Sequence, residues 1–269
     1  MNRSKACIFC GITGNMTKEH FWSEWLAPYL QFPPPHSHVS EFHKGEGKQS
    51  PRLVHRSERP GAINTKKIRV VCAACNNGWM STLESQAKPI LLSLFGDERS
   101  IIAKESIATL ALWVAVKSLI GEYAMDGTAL TPNTERLLLF RQHLIPRHIR
   151  IFVAYHSLSE QAIYYRQSAT VSVSHSTVPP KLPNGISRNI QATTFLVGRL
   201  CFYVTGVCSN GISTAILDPV RPMYRLWPDP PSQIDFSRQL ALKSADVAMI
   251  MYSLDRLVQR PDVKYGGPS

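Results

Sequence analysis

Apolar positions in the first half of the chain recur at spacings that predict helices. The strongest pattern is nearly continuous from Ile101 to Tyr123 and predicts a buried helix over residues 101 to 125. Weaker helical patterns cover four further stretches: His20 to about Leu30, Asn76 or Asn77 to Pro89, residues 90 to 96, and Thr131 to His143. A short β-prone run, Ile68 to Val71, precedes the second of these stretches, so the pattern predicts a strand that leads directly into a helix.

After Pro146 the pattern changes to short runs of β-branched and aromatic residues separated by turn residues such as Ser209-Asn210-Gly211. These runs predict six strands: 149 to 155, 162 to 165, 170 to 175, 190 to 197, 200 to 207 and 213 to 217. A final amphipathic helix is predicted over roughly 234 to 258. The sequence therefore predicts an α+β fold whose later part is mainly antiparallel sheet.

A change in composition suggests how the chain is divided. Residues 33 to 67 are rich in Pro, Gly, Ser, His and charge, which predicts a basic insertion outside the core. Residues 41 to 70 hold eight basic and three acidic side chains, a net +5, which suits either a phosphate-binding segment or a solvated loop. We expect one module over 1–96, which contains this insertion, and an α+β domain of unknown role over 97–269.

The charge of the chain favours an acidic partner. The formal net charge is +11 and the pI is about 9.5, which favours polyanions, with nucleic acid ahead of a membrane surface. The start of the chain does not resemble a secretion leader, and the apolar run from Ile107 to Ile120 is shorter than the roughly 20 residues that span a bilayer. We expect no membrane association.

Four of the six cysteines form two Cys-x-x-Cys pairs, Cys7/Cys10 and Cys72/Cys75. Two such pairs can close a tetrahedral four-thiolate zinc site, which predicts a structural Zn²⁺. Cys201 and Cys208 lie in an apolar stretch and are predicted to be small buried side chains. Six cysteines are too few for a disulfide scaffold in a chain of this length, so we expect a reducing, cytoplasmic compartment.

The segments around these cysteines resemble a known family. Cys7-x-x-Cys10, Thr17-Lys18-Glu19-His20 and the run from Val70 through Cys72 and Cys75 to Met80 are similar to the zinc-knuckle branch of the HNH endonucleases, within the ββα-metal nuclease superfamily. The resemblance covers about the first 90 residues. It implies a zinc-braced ββα module and a nuclease activity.

The resemblance also implies roles for particular residues. Glu19 corresponds to the acidic ligand of a divalent cation and His20 to the general base that activates water. Asn76 occupies the position that directly follows the second cysteine pair, and Asn77 is a second candidate one residue later. A carboxylate and an amide oxygen suit Mg²⁺ or Mn²⁺. Glu84 shares a predicted helical face with Asn77, and it is either an additional ligand of this cation or a surface carboxylate.

One position departs from the family pattern. Lys67 stands where family members usually carry the Asn that orients the base, and Asn64 is a possible substitute three residues earlier. A second interpretation of Glu19-His20 is therefore kept open, in which the pair only begins a helix that Thr17 caps.

The sequence thus supports two functions. The first is a metal-dependent endonuclease that cleaves nucleic acid, with DNA the first choice of substrate; by analogy, such an enzyme would suit bacterial or phage defence. The second is a zinc-ribbon protein that binds nucleic acid without catalysis. In either case residues 97–269 are candidates for a homo-oligomer contact or a contact with a protein partner.

Overall fold

The architecture is taken from a computed structural model, which describes residues 6–30, 37–44, 52–60, 67–96, 101–124, 129–159, 162–173, 188–209 and 212–265. The elements of its first part are β1 (Met16–His20), β2 (Ser37–Lys44), β3 (Arg52–Pro60), β4 (Lys67–Cys72), α1 (Ala73–Cys75), α2 (Ser81–Phe95), β5 (Ile101–Ala103), α3 (Lys104–Gly121) and α4 (Asn133–Gln142). A 3₁₀ helix over Glu24–Tyr29 follows β1, and one π-helical turn over Asn76–Met80 joins α1 to α2.

The second part of the chain contributes most of the sheet. Its elements are β6 (Ile149–Tyr155), β7 (Ala162–Ala169), β8 (Val171–Val173), β9 (Ile190–Val197), β10 (Leu200–Val207), β11 (Tyr224–Trp227), β12 (Gln233–Asp235), α5 (Ser244–Met251), α6 (Ser253–Val258) and β13 (Val263–Tyr265). Five strands form an antiparallel sheet in the order β11-β6-β10-β9-β7. The expected mixture of helices and antiparallel strands is confirmed.

Helix α3 crosses one face of this sheet and is buried nearly all round. Its residues 110 to 121 are all buried, because strands β6 and β10, helix α2 and the edge strand β11 surround it. One apolar core extends from Cys7 through α3 to Phe236, so it includes residues from both predicted domains. A second core lies on the opposite face of the sheet, under α5 and α6. The division at residue 96 stays a prediction.

Within the part of the chain that the structure describes, no helix combines the length and the apolar character needed to cross a membrane. The longest apolar helix, α3, is instead enclosed by the protein itself; it contains the buried Lys117, and the buried Glu122 directly follows its last residue. An apolar pattern of this length thus reflects burial against a sheet.

Four sequence-based boundaries were wrong. The helix expected from His20 to Leu30 is replaced by strand β1 and a 3₁₀ helix, because β1 pairs with β4 and this pairing satisfies its backbone hydrogen bonds. The helix expected from residue 101 begins at Lys104, after a strand that pairs with β12. The strand expected over 213 to 217 is a 3₁₀ turn that the Ser213 side chain caps. The last helix begins ten residues later than expected, at Ser244.

The basic insertion contains more structure than its composition indicates. Strands β2 and β3 pair with each other along their length as a two-stranded antiparallel sheet. The described apolar side chains of this hairpin, Val39 and Leu53, are 47% and 45% exposed, so these two side chains lie outside the core. Residues 33 to 36, 45 to 51 and 61 to 66 of the insertion lie outside the described residues.

The burial of α3 predicts where truncation is costly. Leu110→Ala removes a fully buried side chain from α3, and we expect it to lower the free energy of unfolding by about 2–5 kcal/mol through lost burial and the resulting cavity. Chemical denaturation at fixed zinc concentration measures the change. Leu138→Ala, on an exposed position of α4, is the matched control and should change stability by less than about 0.5 kcal/mol. Equal effects of the two substitutions would contradict this account of the core.

Candidate functional site

The first cysteine pair lies on a tight turn between Cys7 and Gly11. The Gly11 N–H donates to the Cys7 carbonyl over 2.9 Å, and the Cys7 N–H donates to the Ile12 carbonyl over 2.9 Å. Gly11 has φ +76°, a left-handed conformation that residues with a Cβ rarely adopt. The turn therefore directs Cys7 and Cys10 toward the same side.

The second cysteine pair follows strand β4 without a loop. Cys72 ends the strand and Cys75 lies one helical turn later, at the end of α1. Two backbone hydrogen bonds join the pairs: the Ile8 N–H donates to the Val70 carbonyl over 3.0 Å, and the Ala73 N–H donates to the Asn15 carbonyl over 3.1 Å. The structure thus brings together two chain segments that are far apart in sequence.

The four sulfur atoms converge into one cluster. The ligand atoms of Cys7, Cys10, Cys72 and Cys75 all lie within 4.8 Å of one another, and the Sγ atoms of Cys10 and Cys72 are 3.6 Å apart. A zinc ion with Zn–S bonds of about 2.3 Å would set tetrahedral sulfur–sulfur separations of roughly 3.8 Å. The cluster can therefore hold a metal ion, and its four-sulfur donor set is compatible with structural zinc.

The surroundings of the thiols differ. Burial favours the neutral form of Cys7, but backbone N–H groups of Cys10, Cys72 and Phe9 that point at its sulfur outweigh burial and lower its pKa. Burial raises the pKa of Cys10 and Cys75 above the ordinary thiol value. A bound cation is needed to keep all four sulfurs as thiolates, so metal binding should release protons.

Aromatic and charged side chains fix the cluster to the rest of the protein. The Phe9 and Trp79 rings meet edge to face with centroids 5.1 Å apart, and Phe140 of α4 packs 6.0 Å from Trp79. The buried guanidinium of Arg136, also on α4, donates from Nε to the Ile8 carbonyl over 3.0 Å. The cysteine cluster is thus tied to residues beyond position 96.

Glu19 and His20 occupy the end of β1 and point to opposite sides of it. Glu19 is paired with Ile68 and His20 with Lys67 of β4, after a bulge that places two β4 residues opposite Lys18. Side chains of successive strand residues face opposite ways, so Glu19 faces the buried Ile68 and His20 faces the exposed Lys67. The alternative in which this pair begins a helix is wrong.

The Glu19 carboxylate meets a buried cation that the sequence did not identify. Lys117 of α3 has a side chain that is only 2% exposed, and its Nζ lies 3.7 Å from Glu19 Oε1 and 3.4 Å from Glu84 Oε2. The same ammonium donates to Ser23 Oγ over 3.3 Å. Two carboxylates from the first 96 residues thus share one ammonium from the predicted second domain.

The second carboxylate of this cluster is held more completely than the first. Glu84 Oε1 accepts hydrogen bonds from Ser23 Oγ and from Trp25 Nε1, the latter over 3.0 Å, while Oε2 faces Lys117. Glu84 is therefore an ordered carboxylate inside a polar cluster. To bind a catalytic cation it would have to exchange one of these partners, so its role as a ligand stays a prediction.

The two carboxylates differ in their titration. Burial raises the pKa of Glu19, and the attraction of Lys117 only partly opposes this effect. Burial also acts on Glu84, but Lys117, Ser23 and Trp25 together outweigh it and lower the pKa of Glu84. Lys117 and the hydrogen-bond donors therefore stabilise the ionised form of Glu84 more completely than that of Glu19.

The remaining predicted site residues lie around this cluster. The His20 side chain is 25% exposed, and its Nε2 lies 3.4 Å from Oε1 of the exposed Glu24. Asn76 is half-buried and Asn77 exposed, both in the π-helical turn. Among the described residues, neither amide forms a hydrogen bond to Glu19 or His20. Asn64 lies outside the described residues.

Sequence reasoning missed the part of the site that comes from α3. Lys117 interrupts an otherwise apolar stretch, and a charged residue in a helix predicted to be buried was a signal that it needed a partner. The identity of that partner was not predictable, because Ser23 and Lys117 are 94 positions apart.

Compared with protein-family models, with curated proteins and with solved structures, the chain has no match in any of the three.

The cysteine cluster predicts a measurable zinc stoichiometry. We expect one Zn²⁺ per chain, and we expect Cys75→Ser to weaken zinc binding by more than about 100-fold, beyond the 10- to 100-fold typical of changes outside the ligand set. Competition with a chromophoric chelator measures the affinity. Cys208→Ser, at a half-buried thiol outside the cluster, should keep one zinc per chain. Unchanged zinc binding in Cys75→Ser would show that the cluster is not the zinc site.

The buried ammonium predicts a pH-dependent stability. Lys117→Met leaves Glu19 and Glu84 without their cation, and we expect a loss of about 3–5 kcal/mol in the free energy of unfolding at neutral pH. The stability from the lowered pKa of Glu84 is present above the ordinary carboxyl pKa of 4.5 and is lost as the pH falls through the folded-state pKa. The deficit should therefore shrink toward acidic pH.

Denaturation of both proteins from pH 8 downward, at the same excess of zinc, tests this expectation. Lys104→Met, at the exposed start of the same helix, is the matched control and should change stability by less than about 0.5 kcal/mol at every pH. A deficit in Lys117→Met that grows toward acidic pH would contradict the proposed pairing.

Proposed function

We propose that the protein is a metal-dependent endonuclease of the HNH type, with DNA as its substrate. The observation that carries the proposal is the position of Glu19 and His20. They are adjacent residues at the end of a strand that pairs with β4, and β4 runs through the cysteine cluster into helix α2. This succession of two antiparallel strands and a helix, braced by four thiols, is the arrangement that the sequence resemblance implies.

Glu19 is the residue best suited to bind a catalytic cation. Its side chain is 14% exposed, so it remains accessible, and it shares the Lys117 ammonium with Glu84. A divalent cation would favour the ionised form of this carboxylate, and oxygen ligands with several retained waters are typical of Mg²⁺ and Mn²⁺. Asn76 is the candidate for a second oxygen ligand.

His20 supplies the base. Hydrolysis of a phosphodiester requires a group that takes a proton from the attacking water, and imidazole is the side chain whose unperturbed pKa suits this role near neutrality. The imidazole is solvent-accessible and contacts the carboxylate of Glu24, which can orient the ring. Because Glu19 and His20 point to opposite sides of β1, the scissile phosphate would have to lie across the end of this strand, where a cation on Glu19 would stabilise the charge that develops on the phosphate oxygens.

The proposal assigns different roles to the two metals. The cysteine cluster uses all four sulfurs, which leaves no open coordination position for substrate and is typical of a structural ion. Catalysis then depends on a separate cation bound by oxygen atoms. Removal of zinc should unfold the module, whereas removal of Mg²⁺ or Mn²⁺ should stop only the reaction.

A zinc-ribbon protein that binds nucleic acid without cleaving it is the second candidate. The observation that favours it is Lys117, whose ammonium already serves Glu19 as a cation and would be sufficient for a purely structural cluster. The lysine at position 67, in place of the usual Asn, points the same way.

Plasmid nicking separates the two functions. We expect purified protein to nick supercoiled DNA with Mg²⁺ or Mn²⁺, and His20→Ala to slow nicking by about 10²- to 10⁴-fold because the general base is lost. His143→Asn is the matched control: it removes an exposed histidine at a left-handed position that Asn tolerates. Zinc content and the unfolding midpoint confirm that each variant is folded.

Equal nicking by the wild type and by His20→Ala would rule out the proposed base. Absence of nicking by the wild type under any divalent cation, together with retained DNA binding, would favour the zinc-ribbon function.

A further inference from the structure

The outward face of the β1–β4 strand pair carries three exposed cations around His20. Lys67 and Arg69 of β4 are exposed, while the residues between and after them, Ile68 and Val70, are only 6% and 8% exposed. Lys18 of β1 is exposed as well. We call Lys18, Lys67 and Arg69 the basic face.

The strand register determines how these side chains are arranged. Lys67 is the direct partner of His20 in the pairing, and directly opposed residues have Cβ atoms about 4.5–5.5 Å apart. Lys18 lies two residues before His20, and therefore on the same side of β1. Arg69 lies two residues after Lys67, beside the bulge opposite Lys18. The imidazole thus lies among three cationic side chains on a single surface.

This face carries no compensating acid of its own. The only acidic residue in β1 and β4 is Glu19, and its side chain turns the other way, toward Lys117. Glu24 contacts His20 and is 81% exposed. Three like charges on one small surface repel one another unless a polyanion binds there.

The spacing of the cations favours nucleic acid over an acidic protein segment. Lys67 and Arg69 are two strand residues apart, about 6.7 Å. One strand of duplex DNA presents about two phosphate charges over that length, since each strand carries one charge per roughly 3.4 Å of the helix axis. An extended acidic peptide presents one side chain on the same face over that length, so DNA matches this charge density better.

We propose that the basic face binds the phosphate backbone of duplex DNA and that Lys67 holds the phosphate next to His20. This inference rests on the proposed function for the identity of the substrate and adds the surface that binds it. It also gives Lys67 a role at the position where the family pattern would have Asn: the ammonium binds the substrate near the base instead of orienting the base. Lys67 is therefore a positioning residue.

Binding to a 30-base-pair DNA duplex, measured by fluorescence anisotropy without added divalent cation, tests the basic face separately from cleavage. In the triple variant Lys18→Gln, Lys67→Gln, Arg69→Gln we expect the dissociation constant at 0.1 M salt to rise about 10- to 100-fold. The slope of log affinity against log salt should become shallower by about 2 to 3, since each lost phosphate contact contributes about 0.9.

A second triple variant controls for the loss of net charge. Lys104→Gln, Arg147→Gln, Lys264→Gln removes the same three charges from exposed positions outside the basic face. We expect its dissociation constant to change less than about threefold. Similar weakening in both triple variants, or no weakening in the first, would overturn the proposal.

The single variants Lys67→Gln and Lys67→Arg test the positioning role. Lys67→Gln should lower the single-turnover nicking rate at saturating DNA at least about tenfold, and Lys67→Arg should restore most of it because a cation is again present. A purely structural role would show the same rate in both variants.

Two further outcomes are decisive for the identity of the bound polymer. Tighter binding of an RNA duplex than of the DNA duplex, or displacement of DNA by equimolar polyglutamate, would overturn DNA as the occupant. If neither the wild type nor any variant nicks DNA, while the first triple variant still binds DNA more weakly than the wild type, the proposed reaction is ruled out and the proposed DNA-binding surface is retained.

Discussion

The convergence of four sulfur atoms is the constraint on which the rest of the structure depends. Cys10 and Cys72 are 62 positions apart, and their contact closes a long segment of chain whose entropy opposes folding. A metal ion bound by both pairs would offset this cost and fix the register of β1 against β4. That register places His20 opposite Lys67 and turns Glu19 toward the interior.

A buried ammonium is the second constraint, and it joins parts of the chain that the sequence pattern separates. Lys117 leaves the solvent almost completely, and the cost of this desolvation is offset by Glu19, Glu84 and Ser23, which surround its Nζ. The candidate site therefore includes α3, which lies beyond residue 96. Arg136 of α4 makes a similar connection, since its guanidinium donates a hydrogen bond to the carbonyl of Ile8, which lies between Cys7 and Cys10.

The two sides of strand β1 have different chemical environments, and the proposed mechanism assigns a different chemical role to each side. On the inward side, the carboxylates of Glu19 and Glu84 contact the buried ammonium of Lys117. A divalent cation would bind there to the partly exposed side chain of Glu19. On the outward side, the imidazole of His20 lies near the exposed cations of the basic face, whose charge is complementary to that of phosphate groups. Strand geometry separates these environments by a single residue, because successive side chains alternate between faces.

The sequence by itself determined the features that depend on local spacing. Two Cys-x-x-Cys pairs define a four-sulfur donor set wherever they meet. Runs of β-branched and aromatic residues define strands β6, β9 and β10 with the bounds that the structure shows. The tertiary structure alone decided that His20 ends a strand, that Glu84 pairs with Lys117 and that Lys67 lies opposite His20. Each of these depends on contacts between distant segments, and the free energy of such contacts overrides the weak local preferences that a sequence pattern reports.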